Sequence, residues 1–370
     1  MKIAYCIPAM ANSGGMERVL SCKANYLVSL GYEVHIITSD QMGRPVFFPL
    51  DSRIHLHDLG IDHEATNGSL WRKVLEFPFK RWRHERALKA LLLKLRADVV
   101  ISMFGLESSF LPQIQDGSRK ILEYHFSKLK RLQYNRKGLW RRLDIWYTKQ
   151  DEVVVRRYDD FVVLTEEDRQ LWGDLPNIHV IPNPLPFESD EVSTCAAKSI
   201  IAAGRYNYQK NFEELIDIWA QVVGQFPDWT LNIYGDGEER AHLQSQIDKR
   251  AIPNIYLQRP TKDMPHAYLQ SSLYVMTSHY EGLPMVLLEA QTMGLPIVAY
   301  ACQCGPRDII TDGKDGYVIE PHHKQAFCQA LVRLMQDEDL RRQMGANAKV
   351  ASKRYQLESV MAQWLELLTN

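Results

Sequence analysis

The feature that most constrains this chain is a rhythm: short apolar runs alternate with amphipathic stretches along all 370 residues. That alternation marks an α/β architecture, in which buried parallel strands read as continuous apolar text and crossover helices as stripes of period 3.6. Strands are predicted at Ile3–Pro8, Val34–Thr38, Ala97–Met103, Lys120–Tyr124 and Phe161–Leu164. A first helix is predicted over Met16–Leu30, with Met16, Val19, Leu20, Lys23, Leu27 and Leu30 on one face and Gly31 to stop it. The text changes at Ile181-Pro182-Asn183-Pro184-Leu185-Pro186-Phe187, where three prolines predict a hinge. A second alternation follows. Its strands are predicted at Ser199–Ala203, Thr230–Tyr234, Asn254–Gln258, Leu273–Thr277 and Pro296–Tyr300. Its helices are predicted at Asn211–Gln225, Glu238–Arg250 and Pro284–Met293, with three more from about His323, Asp337 and Leu357. The predicted fold class is therefore α/β, two doubly wound, Rossmann-like domains facing each other across a cleft at the carboxyl ends of their sheets.

Composition removes other classes. The chain is too long for one ordinary core, and 45% apolar with 24% charged residues excludes general disorder. No apolar run approaches the ~20 residues that span a bilayer, and the short run at the N-terminus reads as a strand rather than a signal peptide. The six cysteines form no disulfide framework, and Cys302-Gln303-Cys304 lacks a matching cluster at zinc spacing. A reduced, cytoplasmic chain is expected.

The net charge of -1 conceals an asymmetry. Residues 1–190 carry 27 bases against 24 acids, and residues 191–370 carry 17 against 21. Between Arg72 and Arg96 there are nine bases and two acids, a net of +7; between Arg119 and Arg157, twelve and four, a net of +8. Trp71, Phe77, Phe79 and Trp82 accompany the first segment; Tyr134, Trp140, Trp146 and Tyr147 accompany the second. Bases beside aromatics suit an anionic bilayer surface; the plainer reading is a solvated helix face with its aromatics in the core. No nucleic-acid recognition module is present, so nucleic acid is not an expected partner.

Three stretches carry chemistry. Asn12-Ser13-Gly14-Gly15-Met16-Glu17 lies between the first strand and its helix, where glycines let a ligand approach the backbone and a helix N-terminus offers N–H groups to an anion; a tight turn is the alternative. Gly204-Arg205-Tyr206-Asn207-Tyr208-Gln209-Lys210 follows the first strand of the second half and brackets a loop with two cations, as a diphosphate requires; a solvated loop is the alternative. Ser278-His279-Tyr280-Glu281-Gly282-Leu283-Pro284-Met285 opens a helix at Pro284, and Glu289 follows within it. Carboxylates suit vicinal sugar hydroxyls, whereas Glu281 as a helix cap and Glu289 on an exposed face are the bland alternatives.

Glu281 and Glu289, with seven residues between them, resemble the E-x7-E signature of retaining GT-B glycosyltransferases of family 4. Arg205 and Lys210 resemble that family's G-R-x4-K clamp, Gly14-Gly15 with Glu17 its G-G-x-E loop, and Ile181-Pro182-Asn183 the end of its first domain. The resemblance spans the chain in the expected order. It implies an acceptor-binding domain over 1–187, a nucleotide-sugar-binding domain over 188–355, and a closing helix over 356–370 that packs back on the first domain. It implies that Arg205 and Lys210 hold the nucleotide diphosphate, that Glu289 binds the ribose and that Glu281 meets the donor sugar. It also implies that the backbone of Gly14, Gly15, Gly282, Leu283 and Met285 faces sugar or phosphate, and that His125 sits by the transferred sugar. A hydrogen-bonded histidine at a strand end is the alternative for His125. Three positions depart from the family pattern: Pro184 stands where glycine is usual, Asp308 where glutamate is usual, and His125 lacks the following aspartate.

The resemblance implies a retaining hexosyltransferase that uses a nucleotide sugar as substrate, with UDP-galactose or UDP-N-acetylgalactosamine favoured, and needs no cofactor. No D-x-D motif stands in a metal-binding loop; Asp159-Asp160 opens a strand and reads as structural. Arg205 and Lys210 would then stabilise the leaving diphosphate. The basic, aromatic segments suit a lipid-linked glycan acceptor at the inner face of the cytoplasmic membrane, with Arg81, Trp82, Lys130, Arg131, Arg136, Lys137 and Trp140 as acceptor or membrane residues. A soluble or lipopolysaccharide-core acceptor is the runner-up. A non-catalytic nucleotide-sugar-binding protein is the rival of another class.

Overall fold

Each half of the chain closes around one parallel sheet. The computed structural model describes residues 1–66, 70–134, 136–185 and 187–370. Pro186 and the side chains of Trp71, Arg72 and Tyr134, named above, lie outside the described residues. The chain divides into two units: Met1–Pro184 together with Val360–Asn370, and Leu185–Ser359. The expected boundary at 187/188 lies three residues past the observed one.

The first unit holds β1 (Lys2–Ile7), α1 (Gly15–Ser29), β2 (Glu33–Thr38), β3 (His55–Asp58), α2 (Leu70–Leu95), β4 (Val99–Ser102), β5 (Arg119–Tyr124), α3 (Leu139–Val155), β6 (Asp160–Val163), α4 (Glu166–Trp172) and β7 (Ile178–Val180). Its seven strands run in the order β3-β2-β1-β4-β5-β6-β7, and every pairing is parallel. The central strands are buried on both faces, which is why they read as apolar runs. The sequence reading missed β3 and β7. Both are edge strands, and β3, His-Leu-His-Asp, is largely exposed, so no apolar run announces it.

The second unit holds β8 (Ser199–Ala203), α5 (Phe212–Val222), β9 (Thr230–Tyr234), α6 (Arg240–Lys249), β10 (Ile255–Gln258), α7 (Met264–Leu269), β11 (Leu273–Met276), α8 (Met285–Thr292), β12 (Ile297–Tyr300), α9 (Pro306–Ile309), β13 (Gly316–Ile319), α10 (Lys324–Gln336) and α11 (Glu338–Ser352). The strand order is β10-β9-β8-β11-β12-β13, again parallel throughout. Its core forms where the apolar stripe of α5 (Leu215, Ile216, Ile218, Trp219, Val222) packs with Leu231, Ile233 and Val275 of the sheet and Phe327, Leu331 and Leu334 of α10.

In both sheets the chain order reverses beside the first strand, between β1 and β4 and between β8 and β11. In open α/β sheets such a switch point leaves a crevice at the strands' carboxyl ends, because successive loops depart to opposite sides. The last helix, α12 (Leu357–Thr369), buries Val360, Met361, Trp364, Leu367 and Leu368. Arg119 donates to the Leu367 carbonyl at 2.8 Å, which ties α12 to β5. The turn after β7 contains no residue with positive φ among those described, so Pro184 replaces the usual glycine without strain.

Candidate active site

The switch point of the second sheet brings together residues 71 positions apart. Lys210 lies at the end of a 3-10 turn after β8, and Glu281 lies in the loop after β11. The Lys210 Nζ donates to Glu281 Oε1 at 2.6 Å, with both side chains mostly buried. Gln209 Nε2 donates to the other carboxylate oxygen at 3.3 Å and to the Tyr280 carbonyl at 3.1 Å. A Cβ on Gly204 would stand 2.9 Å from the Lys210 Cε, so the glycine lets the lysine stem lie against the strand end. Arg205, in the same loop, extends exposed and has no side-chain partner among the described residues.

Glu289 is not on an exposed face. It is buried within α8 and accepts a 2.8 Å hydrogen bond from the Tyr268 hydroxyl of α7. Tyr274 is buried nearby, its ring 6.0 Å from that of Tyr268. Burial, with the charges of Glu289 and Glu281, pushes its phenol well above the ordinary value. Pro284 is the cap of α8, in an extended conformation, rather than its first helical residue. The helix therefore starts at Met285, and the Leu287 N–H of its first turn donates to the Pro284 carbonyl at 2.9 Å. Leu283 is buried and Gly282 half-buried beside it. Gly305, at φ +111, is required here: a Cβ would meet Pro284 Cδ at 2.2 Å. Gly305, the cap of α9, thus braces the Glu281 loop, and Glu281 N donates to the Gln303 carbonyl at 3.3 Å.

In the first unit, Gly14 caps α1, and a Cβ there would fall 2.2 Å from the Glu17 Oε2. The Glu17 carboxylate folds over the helix start beside Gly14, and only its flexible end would have to move to admit a side chain there. A Cβ on Gly15 would meet nothing within 4 Å. His125 follows β5, and its Nε2 lies 3.3 Å from Glu123 Oε1. The other Glu123 oxygen accepts from Lys23 Nζ at 2.6 Å, and that ammonium sits 3.5 Å from the centre of the Trp364 ring. Burial pushes the Glu123 carboxyl up, but Lys23 and His125 outweigh it and hold the group at about 2. Burial in turn pulls the Lys23 ammonium below its ordinary value. A chain of contacts thus runs from α12 through Lys23 and Glu123 to His125. Lys23 carried a signal, because it interrupts the apolar stripe of α1; Gln209 and Tyr268 carried none.

Six of the eight aromatics named for the basic segments have described side chains, and all six are on the surface rather than in the core. Phe79, Trp82, Trp140 and Trp146 are each more than half exposed, and Phe77 and Tyr147 are exposed as well. Arg86 lies 5.4 Å from the Trp82 ring centre. Two expected acceptor cations are already paired: Arg131 with Asp151, and Arg136 with Asp144 at 2.9 Å. Lys137 is exposed. No helix of the described residues is long and apolar enough to cross a membrane, and the six cysteines are free thiols.

Comparison with known proteins identifies the family and the fold. The model of "Glycosyltransferase Family 4" matches residues 13–188, and that of "Glycosyl transferases group 1" matches residues 194–351. An amylovoran biosynthesis glycosyltransferase of Erwinia amylovora is 30% identical over 378 residues, covering 99% of each chain. A Campylobacter jejuni enzyme, the GalNAc-alpha-(1->4)-GalNAc-alpha-(1->3)-diNAcBac-PP-undecaprenol alpha-1,4-N-acetyl-D-galactosaminyltransferase, is 24% identical over 376 residues, covering 100% of this chain and 98% of that one. Sucrose-phosphate synthase of Thermosynechococcus elongatus superposes with a TM-score of 0.81 at 16% identity, covering 99% and 98%. The chain belongs to the GT-B glycosyltransferases of family 4, and it acts in glycan assembly.

Proposed function

We propose that this protein is a retaining, metal-independent glycosyltransferase. It moves a hexose or N-acetylhexosamine, with UDP-galactose or UDP-N-acetylgalactosamine the favoured donors, to a growing lipid-linked glycan at the inner face of the cytoplasmic membrane. The observation that carries the reading is the Lys210–Glu281 contact beside Arg205 at the switch point of the second sheet.

An ammonium has three N–H donors, and one is engaged by Glu281. The glutamate therefore pre-positions the lysine, which keeps donors for a diphosphate. Arg205 adds a planar fork suited to phosphate oxygens. Both charges are in place before the sugar–phosphate bond breaks, so they stabilise the negative charge that develops on the leaving group with little reorganisation. Glu289, held by Tyr268, offers its remaining lone pairs to ribose hydroxyls, and Glu281 does the same for the donor sugar. His125, its Nε2 3.3 Å from Glu123 Oε1, lies in the first unit. With no nucleophile assigned, the leaving phosphate itself takes the proton of the incoming hydroxyl on the same face of the sugar.

The exposed aromatics and bases of α2 and α3 support contact with an anionic bilayer. The name of the C. jejuni relative, which acts on a -PP-undecaprenol glycan, supports a lipid-linked acceptor. A panel of nucleotide sugars read by thermal shift tests the donor. UDP-galactose or UDP-N-acetylgalactosamine should raise the melting temperature most, and a preference for GDP- or ADP-sugars overturns the assignment. An inverted anomeric centre in the product, read by NMR, would overturn retention. Protein that stays at the bottom of a flotation gradient with anionic liposomes at low salt would overturn membrane contact.

A further inference from the structure

The first unit contains a pocket of about 730 Å³ between α2, α3 and the loops after β1, β4 and β5. Its walls combine aromatic rings with four cations, of which Arg131 is paired with Asp151, itself part of the wall. Lys130 is the central case. Its Nζ lies 4.1 Å from the ring centre of Phe126, 4.2 Å from that of Phe104 and 5.1 Å from that of Tyr124. No carboxylate of the described residues pairs with it. The nearby Asp151 is bound to Arg131, so it offsets the lysine's charge only at a distance. Arg81 and Arg157 line the same pocket, and their side chains also lack partners among the described residues. A second hollow of about 410 Å³ shares Lys130, Arg131 and Tyr147.

The attraction of ring faces for a boxed ammonium offsets only part of what removing the ion from water costs. Burial first, and then repulsion from Arg131, accordingly draws the Lys130 ammonium down to about 7. An anion seated beside it would supply the missing charge. Three unpaired cations around one pocket exceed what a single carboxylate neutralises, and they match a phosphoryl group with its two negative charges. The rings of Phe77, Trp146 and Tyr147 offer flat apolar walls to whatever carries that group.

We infer that this pocket binds a phosphoryl group of the acceptor, with Lys130 as its principal contact and Arg81 and Arg157 as supporting cations. The inference rests on the glycosyltransferase reading and specifies the acceptor class: a phosphorylated glycan or glycolipid. A diphosphate linked to a polyprenyl chain and a phosphodiester of a polyol-phosphate polymer share this chemistry.

The test is titration calorimetry on the full chain with saturating UDP, so that the second unit's diphosphate site is occupied. The probes are farnesyl diphosphate, glycerol 3-phosphate and glucuronate. The phosphorylated probes should bind at least tenfold more tightly than glucuronate. Lys130→Met should weaken them at least tenfold, Lys130→Arg should recover part of the loss, and UDP affinity should stay unchanged in both. Arg81→Gln, at an exposed position, should weaken them about threefold with no change in melting temperature. Tighter farnesyl diphosphate assigns the polyprenyl source, and tighter glycerol 3-phosphate the polymer source. Equal binding of glucuronate, or unaltered phosphate binding in Lys130→Met, overturns the inference. Failure to bind UDP would instead count against the donor-site reading.

Discussion

Replacing Lys210 with methionine would produce two separable losses. The first is catalytic. A preorganised donor aimed at charge that develops in the transition state contributes about 2.7–4 kcal/mol. At about 1.4 kcal/mol per factor of ten, Lys210→Met should lower kcat by about 10²- to 10³-fold at saturating donor. The second is structural. Glu281 is 7% exposed and would keep only the 3.3 Å bond from Gln209. Removing one partner of a fully buried pair costs about 3–5 kcal/mol. Lys210 keeps 16% of its side chain in water, which lets solvent reach the abandoned carboxylate and lowers the cost to about 2 kcal/mol. In a unit of this size that is a fall of about 4–8 °C in melting temperature. The assay pairs steady-state kinetics with thermal melts of Lys210→Met and of Lys210→Met/Glu281→Gln. Neutralising Glu281 should restore the melting temperature and leave kcat low. A single variant within threefold of wild-type kcat, corrected for folded fraction, would refute the reasoning and reduce Lys210 to the counter-ion of Glu281.

Lys23→Met strands the Glu123 carboxylate in the core and should cost about 3–5 kcal/mol in urea unfolding, most of it recovered in Lys23→Met/Glu123→Gln; an additive double variant would argue against direct coupling. Glu123 is held at about 2 in the fold against an ordinary 4.5. Its contribution is therefore complete above pH 4.5 and fades as the pH falls through about 2. The stability difference between wild type and Glu123→Gln should shrink over that window, and a pH-independent difference would contradict this. Tyr268→Phe removes the 2.8 Å bond to Glu289. Because hydrogen bonds to charged groups contribute about 1.5–3 kcal/mol and ribose can take over part of it, UDP should bind about three- to tenfold more weakly. Unchanged UDP affinity by calorimetry would detach Glu289 from the nucleotide.

Much of the architecture was legible before any coordinates, for a simple reason. A strand buried on both faces must be apolar throughout, and a crossover helix must be striped, so β1, β8, β12 and α1 announce themselves. Edge strands obey no such rule, and β3, β7 and β13 escaped detection. Lys23 was visible as an irregularity, a charge inside an apolar stripe, yet its partner lies a hundred residues away. The aromatics of α2 and α3 could be assigned to neither core nor surface from spacing, because both placements have the same period.

By itself the sequence determined the two alternating series and the spacing of Arg205, Lys210, Glu281 and Glu289, since local periodicity and loop chemistry are written in consecutive residues. Only the tertiary structure decided that Lys210 grips Glu281, that Glu289 leans on Tyr268, that Trp364 covers the Lys23–Glu123 pair, and that Lys130 stands in a ring-lined pocket without a counter-ion. Those contacts join strands and helices far apart in the chain, and strand order, which no local pattern encodes, sets which loops meet.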